Sequence, residues 1–150
     1  MSAWRRKALE LLPELRQSIE PAQTPMALWI ELHLQFDEAV AAGEWRRVER
    51  LLDFAAWCMS EQSGSLPNDT STAAAVAFYE HLPQNRQYWE YFPQWFSRPQ
   101  FNELLPVFSY RQTKRPAGGG PCHESSAGAL TRAPWPLTAD GRGYRCARRA

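Results

Sequence analysis

Residues 24–61 read TPMALWIELHLQFDEAVAAGEWRRVERLLDFAAWCMSE, and this stretch decides the fold. Thr24 suits a helix N-cap, Pro25 the first helical position and Gly43 the left-handed stop. Projected at about 100° per residue, Trp29, Leu32, Phe36 and Val40 make one stripe. Leu28, Ala39, Met26, Ile30 and Leu34 widen it past half the circumference, as for a central helix covered on two sides. A second amphipathic pattern runs from about Glu44 to Glu61. Trp45, Val48, Leu51, Leu52, Ala55 and Met59 form its inner face, and Arg46, Glu49, Arg50, Asp53 and Ser60 its outer one. With only Gly43 between them, the two helices are predicted to fold back as an antiparallel hairpin.

Outward from this hairpin the periodicity stays helical. Ser2 can cap a first helix whose stripe is Trp4, Ala8, Leu11 and Leu15, with a break or restart at Pro13. Residues 17–23 read as a connector. Residues 62–69 read as a loop, after which Asp69 or Thr70 caps a fourth helix that ends at Leu82, before Pro83. From Phe78 to Phe101 the chain carries nine aromatic residues. Pro93, Pro99 and Pro106 are expected to cut this region into short helices near 85–91 and 99–105. No alternation of β-branched residues competes with helix anywhere.

Charge divides the chain. Residues 112–150 hold seven basic and two acidic side chains, a net +5, with six Gly and four Pro. The first 111 residues hold ten basic and fourteen acidic side chains, a net −4. Leu130, Trp135, Leu137 and Tyr144 are too few to offset chain entropy, which predicts a disordered tail. The same Ala/Arg/Gly/Pro bias is what a shifted reading frame in GC-rich DNA produces. The expectation is therefore an all-α domain over 1–111, an antiparallel helical hairpin with flanking short helices. It is loosely like a piece of a helical-repeat array, and a disordered tail follows.

The near-neutral total excludes a strong global pull towards nucleic acid or membrane. No run of about 18 apolar residues is present, and the stretch after Arg5-Arg6-Lys7 is too short for a signal-peptide core. Three cysteines without a pairing pattern favour a reducing, cytoplasmic compartment. Cys122, His123 and Cys146 lack zinc spacing and a fourth ligand. Gly118-Gly119-Gly120 lacks the strand and the Lys-Ser/Thr of a phosphate loop. Neither metal nor cofactor is expected.

Four places carry functional readings. His33 and Asp37, four apart on one helix face, form a general-base pair or ligand anchor, or else simply satisfy each other at the core's edge. Trp57 lies about 180° from Val48 with Asp53 one turn before it, an interface anchor unless it packs on the aromatic segment. Trp89 and Trp95 are the exposed-contact candidates of that segment, though such rings at helical spacing are usually core. Glu80 and His81 are adjacent, hence on different faces, and do not make an acid–base pair.

Several short motifs also carry a resemblance. Leu11-Leu12-Pro13-Glu14-Leu15, Leu51-Leu52-Asp53-Phe54-Ala55, Asn68-Asp69 before an Ala/Val helix, and Phe78-Tyr79-Glu80-His81-Leu82 resemble those of small all-helical bacterial proteins. Some of these are similar to immunity or partner proteins encoded beside toxins. The likeness spans residues 8–110, and the motifs are mainly core and cap residues. It implies a helical fold and protein binding, and brings no catalytic residues. The leading expectation is a non-enzymatic module that binds another protein. The alternative is a small ligand-binding protein or hydrolase centred on His33 and Asp37.

Overall fold

The computed structural model describes residues 1–60 and 69–113, and among these there is no β-strand. Of the loop read over 62–69, residues 62–68 lie outside the described residues, as does the tail from 114 on, with Cys122, His123, Cys146 and the triple glycine. None of the described helices is long and apolar enough to cross a membrane.

The hairpin forms as its punctuation requires. Helix α3 spans Pro25–Ala42, and the Thr24 hydroxyl accepts a 3.2 Å bond from Ala27 N–H. Gly43 ends it at φ 70, a conformation that side chains resist. Helix α4, Trp45–Met59, then runs back. Its contacts move away from the turn symmetrically: Arg47 bonds Gln35, and farther out Phe54 stacks on Trp29. The sequence overestimated what is covered. Ile30 and Leu34 of α3 are 56% and 54% exposed, because none of the described elements lies over that side. On α4 the inner set is Val48, Leu51, Leu52, Phe54, Ala55 and Cys58, whereas Trp45 and Met59 are exposed.

The other elements close around this pair. Helix α1, Ala3–Leu11, packs on α4 through Ala8. Pro13 restarts the chain in a 3-10 turn, Pro13–Leu15, that leads into α2, Arg16–Ile19. The segment read as a connector is therefore partly helical, and it buries Ile19 completely. Arg50 bonds Glu14 at 2.7 Å, tying α4 to this turn.

Helix α5, Asp69–Ala74, widens into a π turn over Ala75–Tyr79, where Glu80 N–H reaches back to Ala75 C=O at 2.9 Å. The fourth helix is thus shorter than its pattern suggested. Phe78, Tyr79, Glu80, Leu82 and Pro83 are all buried. Neighbours in sequence cannot all face inward from one α-helical stripe, and the wide turn brings both aromatic rings in.

Beyond a 3-10 turn at Arg86–Tyr88 come α6, Phe92–Trp95, and α7, Arg98–Thr113. Pro106 does not end α7. Pro106 and Asn102, whose carbonyl loses its usual donor, are exposed, so water can serve that oxygen. The Ser109 hydroxyl donates to Leu105 C=O at 2.8 Å one turn back. One hydrophobic cluster joins all these elements, from Ala8 to Phe108.

Candidate functional site

Helix α3 carries His33 and Asp37 to the rim of the core, as the four-residue spacing required. They make no hydrogen bond to each other: His33 Nε2 stands 3.7 Å from Asp37 Oδ2, within ion-pair reach for a protonated imidazole but beyond hydrogen-bond range. Asp37 is held instead by a residue the pattern did not single out, the buried Tyr88, whose hydroxyl donates to Oδ1 at 2.5 Å. The His33 ring lies edge-on to His81 and Phe78, with centroids 5.2 and 6.0 Å away, and its buried Nδ1 has no hydrogen-bond partner. Glu80 is buried while His81 faces His33, in keeping with the different faces expected of that pair.

His33, Asp37, His81 and Tyr88 border an open polar depression of about 580 Å³, completed by Gln84, Asn85, Arg86 and Gln87. No serine, threonine or cysteine lines it among the described residues. The Tyr88 phenol is a poor nucleophile, because burial and then the Asp37 carboxylate raise its pKa. The arrangement provides donors and acceptors for a polar ligand, but it does not provide a nucleophile activated by a base. Since Tyr88 depends on Asp37, Asp37→Ala is expected to cost about 1–3 kcal/mol by orphaning the hydroxyl. Asp37→Asn, which keeps an acceptor, should recover most of that loss. Urea midpoints for both variants measure it, and an unchanged midpoint for the alanine variant would show the bond contributes nothing.

A second concavity is apolar. Leu52, Asp53, Ala56 and Met59 of α4 form one wall. Trp95 and Phe96 at the end of α6, with Gln100, Glu103 and Leu104 of α7, form the other, and Tyr79 lies beneath. Its volume is about 470 Å³. It shares Leu52, Asp53 and Trp95 with a further hollow of about 300 Å³ lined by Trp45, Val48, Glu49 and Gln94. Together they make one groove along the length of α4. Three rings edge it: Trp45 lies 5.1 Å from Tyr91, which stacks on Trp95 at 5.5 Å.

The groove's charge is one-sided. Its lining contains Glu49, Asp53 and Glu103, and neither Lys nor Arg. Elsewhere Glu10, Glu14, Glu20 and Glu44 each pair with a basic side chain, but these three carboxylates have no ion-pair partner among the described residues.

Of the singled-out residues, the structure brings together Asp53 and Trp95 in the groove, and His33 and Asp37 at the polar depression. Trp57 is partly buried against the core cluster rather than fully exposed. It stacks on Phe54 of its own helix, centroids 6.1 Å apart. Trp89 is also partly buried, and its indole N–H donates to Pro83 C=O at 2.9 Å. Ala56, Glu103 and Leu104 escaped the reading, and Met59 was assigned to the core. The signal available was the spacing of Leu52, Ala56 and Met59, which continues an apolar stripe up α4. On α7, Glu103 and Leu104 fell within the short helix read over 99–105, but nothing in the pattern set that helix against α4. No group of three metal-ligating side chains occurs among the described residues. Compared with known protein families, curated proteins and solved structures, the chain matches none.

Proposed function

We propose that this chain is a non-enzymatic protein-interaction module of the bacterial cytoplasm, the role an immunity-type partner of a toxin would have. It binds through the groove between α4 and the α6–α7 segment. One observation carries this reading: solvent-facing apolar side chains and half-exposed rings line a continuous groove whose carboxylates have no ion-pair partner among the described residues. Such a surface is costly to leave wet and offers the aromatic anchors on which interfaces depend. The buried free thiol of Cys58 suits a reducing compartment.

A photo-crosslinking side chain placed at Ala56, exposed inside the groove, is expected to give a discrete protein adduct in cells. The same group at Glu31, exposed on α3, is expected to give none. Trp95→Ala should reduce the adduct several-fold. Equal labelling from both positions, or none from Ala56, would remove the proposal.

The open depression beside His33 and Asp37 favours a second reading, binding of a small polar ligand. For its hydrolase form, the described lining offers no serine, threonine or cysteine as nucleophile. A crosslinker at Gln87, exposed on that rim, separates the two readings: a small-molecule adduct there with none at Ala56 favours the second.

A further inference from the structure

We infer that the groove's occupant is a basic amphipathic helix of a partner protein. The inference rests on the groove being the binding face and adds what that face selects. From Trp45 to Met59, α4 extends about 21 Å at 1.5 Å per residue, the length of a helix of about four turns. Leu52, Ala56, Met59, Trp95 and Leu104 offer an apolar floor and walls to a single stripe of side chains. The acids lie on both flanks, Glu49 and Asp53 one turn apart on α4 and Glu103 across from them on α7. A complementary ligand therefore has an apolar stripe with Lys or Arg on both sides.

Backbone chemistry argues for a helix over an extended peptide. The groove's walls are helices whose amides are already bonded internally, so there is no strand edge to pair with. An extended ligand would bury its own amides unpaired, whereas a helix brings them satisfied. The body of a second copy is disfavoured by charge, since its first 111 residues carry a net −4.

The test uses the full chain and two fluorescent peptides of identical Leu stripe at helical spacing, one flanked by Lys and its twin by Glu, read by anisotropy. The Lys peptide is expected to bind and to weaken as salt rises. Asp53→Lys with Glu103→Lys should lower its affinity about tenfold and flatten the salt dependence. Ala56→Arg should abolish binding. All three positions are at least partly exposed, and an unchanged circular dichroism melt verifies folding. Equal binding of the Glu twin would overturn the charge inference and leave the groove reading standing. Binding of neither peptide, or binding indifferent to Ala56→Arg, would overturn both. A dimer in sedimentation that Ala56→Arg dissociates would make a second copy the occupant and refute the inference. Binding seen only after Trp135→Ser and Leu137→Ser would refute it in favour of the chain's own C-terminal residues.

Discussion

Replacing Trp29 with alanine is expected to destabilise the fold by about 3–5 kcal/mol, comparable with the whole stability of a small domain. The ring is fully buried and sandwiched, with Phe54 of α4 at 5.2 Å and 16° on one side and Phe78 of the π turn at 5.0 Å and 29° on the other. Phe36 closes edge-on against Phe78 at 4.9 Å. Removing the indole thus unstacks three elements together and leaves a cavity that rigid rings cannot collapse to fill. The indole N–H faces the Cys58 sulfur without a hydrogen bond of normal geometry, so no strong bond is lost with it. Trp29→Phe should accordingly cost much less, through volume alone. Leu34→Ala, on the uncovered side of α3, should stay within about 0.5 kcal/mol. Urea unfolding followed by far-ultraviolet circular dichroism ranks the three. A Trp29→Ala loss no larger than that of Leu34→Ala would show that the stack is not the hub of the core.

The contrast between Trp29 and Leu34 shows how far the sequence could be read. Thr24, Pro25 and Gly43 place the α3 ends because capping and left-handed backbone are local chemistry. Periodicity then says which side chains a helix is able to bury, but not which sides its neighbours cover. Ile30, Leu34, Trp45 and Met59 were assigned inward for that reason. Where the local rule itself was bent, the cause was tertiary. Phe78 and Tyr79 both turn inward because the helix widens to accommodate them. Pro106 continues α7 because its missing bond lies on the wet side. The groove was legible only in fragments. Asp53 and Trp95 drew notice as isolated residues, and the fold alone places them together. Trp57 and Trp89 looked equally available, yet stacking on Phe54 and a bond to Pro83 C=O engage each one locally. The His33–Asp37 spacing correctly placed both on one face, but the partner that holds Asp37 comes from the aromatic segment, far along the chain.

Alkaline pH is expected to unfold the domain, beginning with Cys58. Its thiol is fully buried, and burial pushes its pKa from the ordinary 9.0 up to about 12, against a smaller opposing pull from the Trp29 indole N–H. In the unfolded chain the thiol gives up its proton above about pH 9, while in the folded chain it keeps it. The folded-state value is the raised one, so the associated stability is complete below pH 9 and is lost as pH climbs towards 12. At up to 1.36 kcal/mol per pH unit, with the unfolded thiol half ionised at pH 9, the loss between pH 9 and 11 is about 2 kcal/mol. Tyr79, raised by burial and then by the neighbouring Cys58, and Tyr88, raised by burial and then by Asp37, add their own losses only once free tyrosine begins to ionise, near pH 10. Cys58→Ala isolates the first step. It should cost a modest amount at pH 7, since a small buried group is removed. Its urea midpoint should then stay level between pH 9 and 10, where the parent's midpoint falls. Parallel curves through that interval would mean that the folded protein tolerates a thiolate at the Trp29–Tyr79 junction, which a dry aromatic core cannot do.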